Sequence, residues 1–184
     1  MRFDTESESQ MGKTDYVKLK SGDSIRGVFR GEPHIFYIHW KEGKSSPCEG
    51  RDICGKCAIG DKASFRFKIN FIVKENETYV PKVWEQGWTV FLDLKALNEG
   101  GYDLEKFLMK ISRTGSTMND TKYSVVPVPN GQLSPIQLGH LANVKLVSLS
   151  GKEEVINLDR ADKAHKEFSS KSGFEPVEEE TIPF

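Results

Sequence analysis

The 184-residue chain contains no long apolar run. Nothing approaches the roughly 18 apolar residues that a membrane-spanning helix requires. Its start, MRFDTESESQ, lacks a basic stretch followed by an apolar one, the pattern of a secretory signal. Cysteine is scarce: three residues, an odd number, all within positions 48–57, which is a poor disulfide framework. There is no glycine-rich phosphate loop, no carboxylate pair framed for metal-assisted hydrolysis and no Ser-His-Asp arrangement. The segments GDS and RTGSTMND read as turns. These absences predict a soluble, intracellular protein that binds, not an enzyme.

An excess of one charge is also missing. Twenty-six Lys and Arg face 27 Asp and Glu, for a formal net charge of −1. A nucleic-acid-binding domain is usually basic, so the total argues against one. The distribution does not. Residues 1–10 hold Arg2 against Asp4, Glu6 and Glu8, and residues 175–184 hold Glu175, Glu178, Glu179 and Glu180 with no base. The intervening 11–174 therefore carry 25 bases and 20 acids, a net of +5. The body is mildly basic and both ends are acidic.

With 37% apolar and 29% charged residues the chain is wetter than most domains yet too apolar to be wholly disordered. Residues 1–13 predict a flexible arm, 14–150 a single folded domain, and 151–184 a flexible linker ending in an acidic tail. Within the domain, DYVKL, SIRGVFR and HIFYIHW read as short strands separated by Ser-Gly-Asp and Gly-Glu-Pro turns. Residues 41–60 read as a loop. In Ala63–Val73, Phe65, Phe67, Ile69 and Phe71 alternate with Ser64, Arg66, Lys68 and Asn70, the period of a half-buried strand. KENET turns the chain into TYVPKVW. Trp88–Leu97 has helical spacing, and Leu104–Met109 suggests a second short helix. KFLMKISRTG and TKYSVVPVP predict an antiparallel pair, and Ser134-Pro135 opens a closing helix. Five to six strands with a helix interposed suit a mainly β fold, a five-stranded oligonucleotide/oligosaccharide-binding (OB) barrel with an inserted metal loop at 39–60 and one or two short helices.

Cys48, Cys54 and Cys57 form C-x5-C-x2-C, with His39 upstream. Thiolates and an imidazole are the donors of a closed tetrahedral zinc site, so the set predicts one structural Zn2+ per chain. The loop is too polar to fold by itself, and a metal clip would replace the missing core. His39 is the nearest fourth ligand and His34 the alternative. His140 and His165 lie far off in sequence.

Single strands bind where cations track phosphates and aromatic rings stack on bases. Arg26, Arg30, Arg66, Lys68, Lys82 and Trp84 are the candidates, with Tyr37, Trp40, Arg113, Lys122 and Tyr123 beyond them. A face with two cations is also what an ordinary solvated strand presents, and Trp88 reads as core.

The end, EPVEEETIPF, sets four glutamates before Ile182, Pro183 and Phe184. Solvation accounts for the acids but not for two large apolar residues at the tip. Such a peptide suits a partner pocket that takes Phe184 and a basic rim that takes Glu178, Glu179 and Glu180.

This tip resembles the acidic Ile-Pro-Phe ending of bacterial single-stranded-DNA-binding proteins. The segments VKLKSGDSIRGVFRGEPHIFYIHW, KASFRFKINFIV, VWEQGW and ISRTGS…YSVVPVP resemble smaller phage DNA-binding proteins over roughly residues 15–130. A His/Cys3 zinc site in an OB-fold is similar to the T-even phage protein, with different ligand spacing. The resemblance implies a protein that coats single-stranded DNA in phage replication, recombination and repair, in the cytoplasm of an infected bacterium. It implies that the tail recruits polymerase, helicase or exonuclease partners. The competing expectation is a zinc-stabilised protein-interaction or transcription/recombination adaptor with weak nucleic-acid binding.

Overall fold

A large apolar residue at every second position from Phe65 to Val73 requires a strand with one dry face, and this strand lies at the heart of the fold. A computed structural model describes residues 15–117 and 120–149. In chain order the elements are β1 (Ser24–Lys41), β2 (Lys44–Pro47), α1 (Gly55–Ala58), β3 (Ala63–Glu75), β4 (Thr78–Gln86), α2 (Trp88–Glu99), β5 (Phe107–Thr114), β6 (Lys122–Gln132) and α3 (Pro135–Ala142). The strands form one six-stranded antiparallel sheet in the order β4-β3-β1-β5-β6, with β2 paired to β1 off this path.

β1 is a single strand of 18 residues, not the two strands expected. Its Gly31-Glu32-Pro33 segment makes a register irregularity between Arg30 and His34, where a proline does not interrupt the ladder. The Gly31 amide donates to the Glu105 carboxylate at 2.8 Å. The first residues of β1 pair with β5 and the rest with β3, and Gly27 pairs with both Met109 and Val73. A Cβ at Gly27 would lie 2.4 Å from the Ile72 carbonyl oxygen and 2.7 Å from the Phe71 ring, so this crossing admits only glycine.

The inner face of the sheet holds Phe29, Ile35, Phe65, Phe67, Ile69, Phe71, Trp84, Met109, Ile111 and Val125. Each such side chain, fully buried, contributes on the order of 1.5–3 kcal/mol. α2 lays Val90, Phe91 and Leu94 against them, with Phe91 5.2 Å from Phe65 and 5.5 Å from Phe67 between ring centroids. Among the described residues no backbone pairing joins β4 to β6, so the sheet is open at these edges. Tyr123 of β6 still meets Trp84 of β4 across the interior, 6.0 Å between centroids.

A smaller apolar layer lies on the outer face. Leu141 of α3 covers Val28 and Ile72. α3 begins with a capping box, the Ser134 hydroxyl accepting from the Gln137 amide and the Gln137 side chain accepting from the Ser134 amide. The following segment is tied down by Asn70, whose side chain donates to the Val147 carbonyl at 3.1 Å and accepts from its amide at 2.9 Å.

Three expectations are corrected. DYVKL is not a sheet strand; it contributes an isolated parallel bridge between Tyr16 and Val83. Leu104–Met109 is not a helix, because the Asp103 carboxylate accepts from the Glu105 amide in a local turn and β5 begins at Phe107. The sheet has six strands, not five, because Lys44–Pro47 pairs with the end of β1. The expected arm at 1–13 and tail at 151–184 lie outside the described residues. No helix among the described residues is long and apolar enough to cross a membrane.

Candidate metal centre and sheet face

His39 stays within the β1 pleat, opposite Ala63 of β3 and Ser46 of β2, and is fully buried. The loop comes to it. The Cys48 amide donates to the Tyr37 carbonyl at 2.9 Å, which anchors the first cysteine beside the strand. The Cys54 amide donates to the Gly50 carbonyl at 2.8 Å, and Gly50 takes a φ of 112° that a side chain would resist. Cys54 caps α1 and Cys57 lies inside it, three residues on, and the two sulfurs fall within one cluster. Gly60, at φ 82°, then turns the chain into β3.

The result is a four-residue cluster, His39, Cys48, Cys54 and Cys57, whose ligand atoms all lie within 4.8 Å of one another. His39 Nε2 is 3.3 Å from Cys54 Sγ and 3.5 Å from Cys57 Sγ, and Cys48 Sγ is 3.6 Å from Cys57 Sγ. On the other side of the ring, Nδ1 is 3.4 Å from Asp61 Oδ2. Cys54 is pulled down to about 6, chiefly by the Cys57 backbone amide. Cys57 is pushed up to about 12, by burial first and then by Cys48. The neighbouring Tyr37 phenol is also raised to about 12 by burial, with the Cys48 charge second. Thiols packed this closely oppose one another's ionisation, and a shared cation removes that opposition. The four residues thus form a candidate metal site. His34 is excluded from it, since it stands opposite Lys68 on the outer face.

The predicted binding residues divide between two faces. Directly opposed residues in a ladder share a face. Phe36 opposes Arg66, His34 opposes Lys68, and Lys68 opposes Glu85, so these five are outer. Arg66 Nε lies 3.9 Å and Lys68 Nζ 3.8 Å from the Glu85 carboxylate. The Lys68 ammonium also sits 4.9 Å over the Phe36 ring, and the His34 ring is nearly parallel to Phe36 at 5.9 Å. Trp40, about half exposed, continues this side of β1 toward the metal loop. Arg26 is exposed and outer too, but Val28 and Ile72 under Leu141 separate it from Arg66 and Lys68. Arg30 is held 3.9 Å from Glu105.

The remaining predicted residues belong elsewhere. Trp84 is 1% exposed and stacks on Phe29 at 5.8 Å, so it cannot meet a base. Lys82 shares the Trp84 face but is held by Asp15 at 2.6 Å and Glu75 at 3.0 Å. Tyr37 and Tyr123 pack against the core. Arg113 donates to the Leu19 carbonyl at 2.6 Å and to Thr121 Oγ1 at 3.3 Å, bracing two loops. Lys122 is exposed at the start of β6. The tail residues Glu178, Glu179, Glu180, Ile182, Pro183 and Phe184 lie outside the described residues.

Sequence reasoning missed Phe36, Glu85 and Asp61, and weighed His34 only as a metal ligand. The continuous apolar run HIFYIHW conceals which of its residues face water, and only the pairing with β3 reveals it. No protein-family model, no curated protein and no solved structure matches the chain.

Proposed function

We propose that the chain is a single-stranded-DNA-binding protein of the phage type, with an OB-like barrel whose outer β1–β3–β4 face tracks the phosphates. The observation that carries this is the grouping of Arg66 and Lys68 beside the partly exposed Phe36 ring on the outer face of the sheet, next to the segment that Asn70 ties down at Val147. OB barrels bind oligonucleotides on the face of their second and third strands and on the adjoining loops. β3 and β4 hold those places once the short β2 is set aside, and α2 stands between the third and fourth strands of the series. The contact of Trp84 with Tyr123 suits a barrel that is nearly closed.

The metal proposed is Zn2+. With metal–sulfur bonds of about 2.3 Å the edge of a tetrahedron is about 3.8 Å, close to the sulfur separation here. Four protein donors leave no position for water, which makes the ion structural. Bound, it would fix a polar loop that has no core of its own. His39 would present Nε2 to the ion and Nδ1–H to Asp61, an arrangement typical of metal-bound histidine. The acidic Ile-Pro-Phe tip would recruit partner enzymes.

The test is fluorescence titration with oligo-dT and with duplex of the same length. Preference for the single strand, falling with salt, supports the function. Equal or absent binding rejects it. A second function, an interaction adaptor, is favoured by Ile53 and Ile59, which are 75% and 81% exposed on the metal loop. Capture of a protein partner that is lost on Ile53→Ser with Ile59→Ser would support that alternative, and no captured partner for the native chain would reject it.

A further inference from the structure

We propose that Phe36 is the platform on which an unpaired base stacks, and that the base takes the place of the Lys68 ammonium now held over the ring. This inference rests on the proposal that the β1–β3–β4 face binds single strands, and it assigns the contact that the face would make.

Five of the phenylalanines, Phe29, Phe65, Phe67, Phe71 and Phe91, are buried in the main core. Phe36 is different. It stands partly exposed on the opposite side of the sheet, outside both apolar clusters. Its neighbours there are polar or cationic: Arg66 directly across the ladder, Lys68 with its ammonium 4.9 Å from the ring centroid, and His34 in a nearly parallel plane. A flat apolar ring with cations beside it matches a nucleotide, whose base is flat and whose phosphate is anionic.

The cations are only loosely engaged. One carboxylate, Glu85, serves both Arg66 and Lys68, at 3.9 and 3.8 Å, near the outer limit of an ion pair. The three side chains are 25% to 36% exposed, where such pairs contribute little. A phosphodiester arriving at the face can therefore take Lys68 from Glu85 and from the ring together. An ammonium over an exposed ring contributes a factor of about 2–5 in affinity, and base stacking about 5–150. The exchange favours the base, and the displaced ammonium remains within reach of the phosphate attached to it.

The experiment compares oligo-dT affinity of the full chain, metal-loaded, for the native protein, Phe36→Leu and Phe36→Trp. Leucine keeps an apolar side chain without a flat ring, and urea unfolding checks that the fold survives. The expected result is a loss of about 5- to 150-fold for Phe36→Leu and no loss for Phe36→Trp. Photocrosslinking with oligonucleotide containing 5-iodouracil gives a readout independent of the variants, and should label the peptide that holds Phe36. Native affinity in Phe36→Leu, or crosslinking confined to other peptides, overturns the assignment. If the native chain binds no oligo-dT at all, the single-strand function itself fails, an outcome distinct from loss of the stacking contact alone.

Discussion

The Asp61 carboxylate lies 3.4 Å from His39 Nδ1, on the side of the imidazole away from Cys54 Sγ. Nδ1 makes no hydrogen bond among the described residues, and a small shift of the Asp61 carboxylate on metal binding would let it accept from Nδ1–H, fixing the tautomer with Nε2 toward the sulfurs. Asp61 reaches it because Gly60 turns the chain immediately after the cysteine knuckle, with the Asp61 amide donating to the Lys56 carbonyl at 3.0 Å.

Asp61→Asn should therefore weaken metal retention by about 10- to 100-fold while the fold remains. Competition for zinc against a colorimetric chelator measures this directly. Retention equal to the native protein would show that Asp61 has no hold on His39.

Glu85→Gln should tighten oligo-dT binding, because it frees Arg66 and Lys68 from the carboxylate they share. The gain should be several-fold at low salt and shrink as salt screens the charges. Filter binding at two salt concentrations decides it; weaker binding in the variant would mean that Glu85 orients the cations for the ligand.

Trp40 and Trp84 should separate cleanly in fluorescence. Trp40 is 49% exposed on the outer side of β1, whereas Trp84 is 1% exposed inside the core. Trp40→Phe should remove most of the quenching that oligo-dT causes. Quenching that persists undiminished would place the bases elsewhere.

Gly27→Ala should destabilise the protein by about 1–3 kcal/mol, since the methyl group would overlap the Ile72 carbonyl oxygen and the Phe71 ring. The urea midpoint reads the loss. A midpoint equal to the native one would mean that β1 and β3 can part at this crossing.

How legible each element was depended on how local its cause is. The alternation from Phe65 to Phe71, the helix from Trp88 and the Ser134-Pro135 start of α3 are all set by neighbouring residues, and each stands where the sequence predicts. The cysteine knuckle is local as well, and His39 was the nearest donor. Gly31-Glu32-Pro33 misled, since the same three residues make a turn in a hairpin and an irregularity in a long strand; pairing with β3 decides between them. Lys82 made its face look wet, but Asp15 from far along the chain and Glu75 from across the β3–β4 turn neutralise it, and Trp84 beside it is free to be core. Phe36 and Glu85 acquire meaning only from register, through partners some 30 and 17 residues away along the chain.

The measurement that bears most directly on the central claim is the salt dependence of oligo-dT affinity for the native chain, the Arg66→Gln/Lys68→Gln variant and Lys82→Gln. Each phosphate contact contributes about 0.7 to the slope of log affinity against log salt for a single strand. The double variant should flatten that slope by about 1.4, while Lys82→Gln should leave it unchanged because Lys82 is already paired with Asp15 and Glu75. A slope that ignores Arg66 and Lys68 but responds to Lys82 would contradict the assignment of the β1–β3–β4 face.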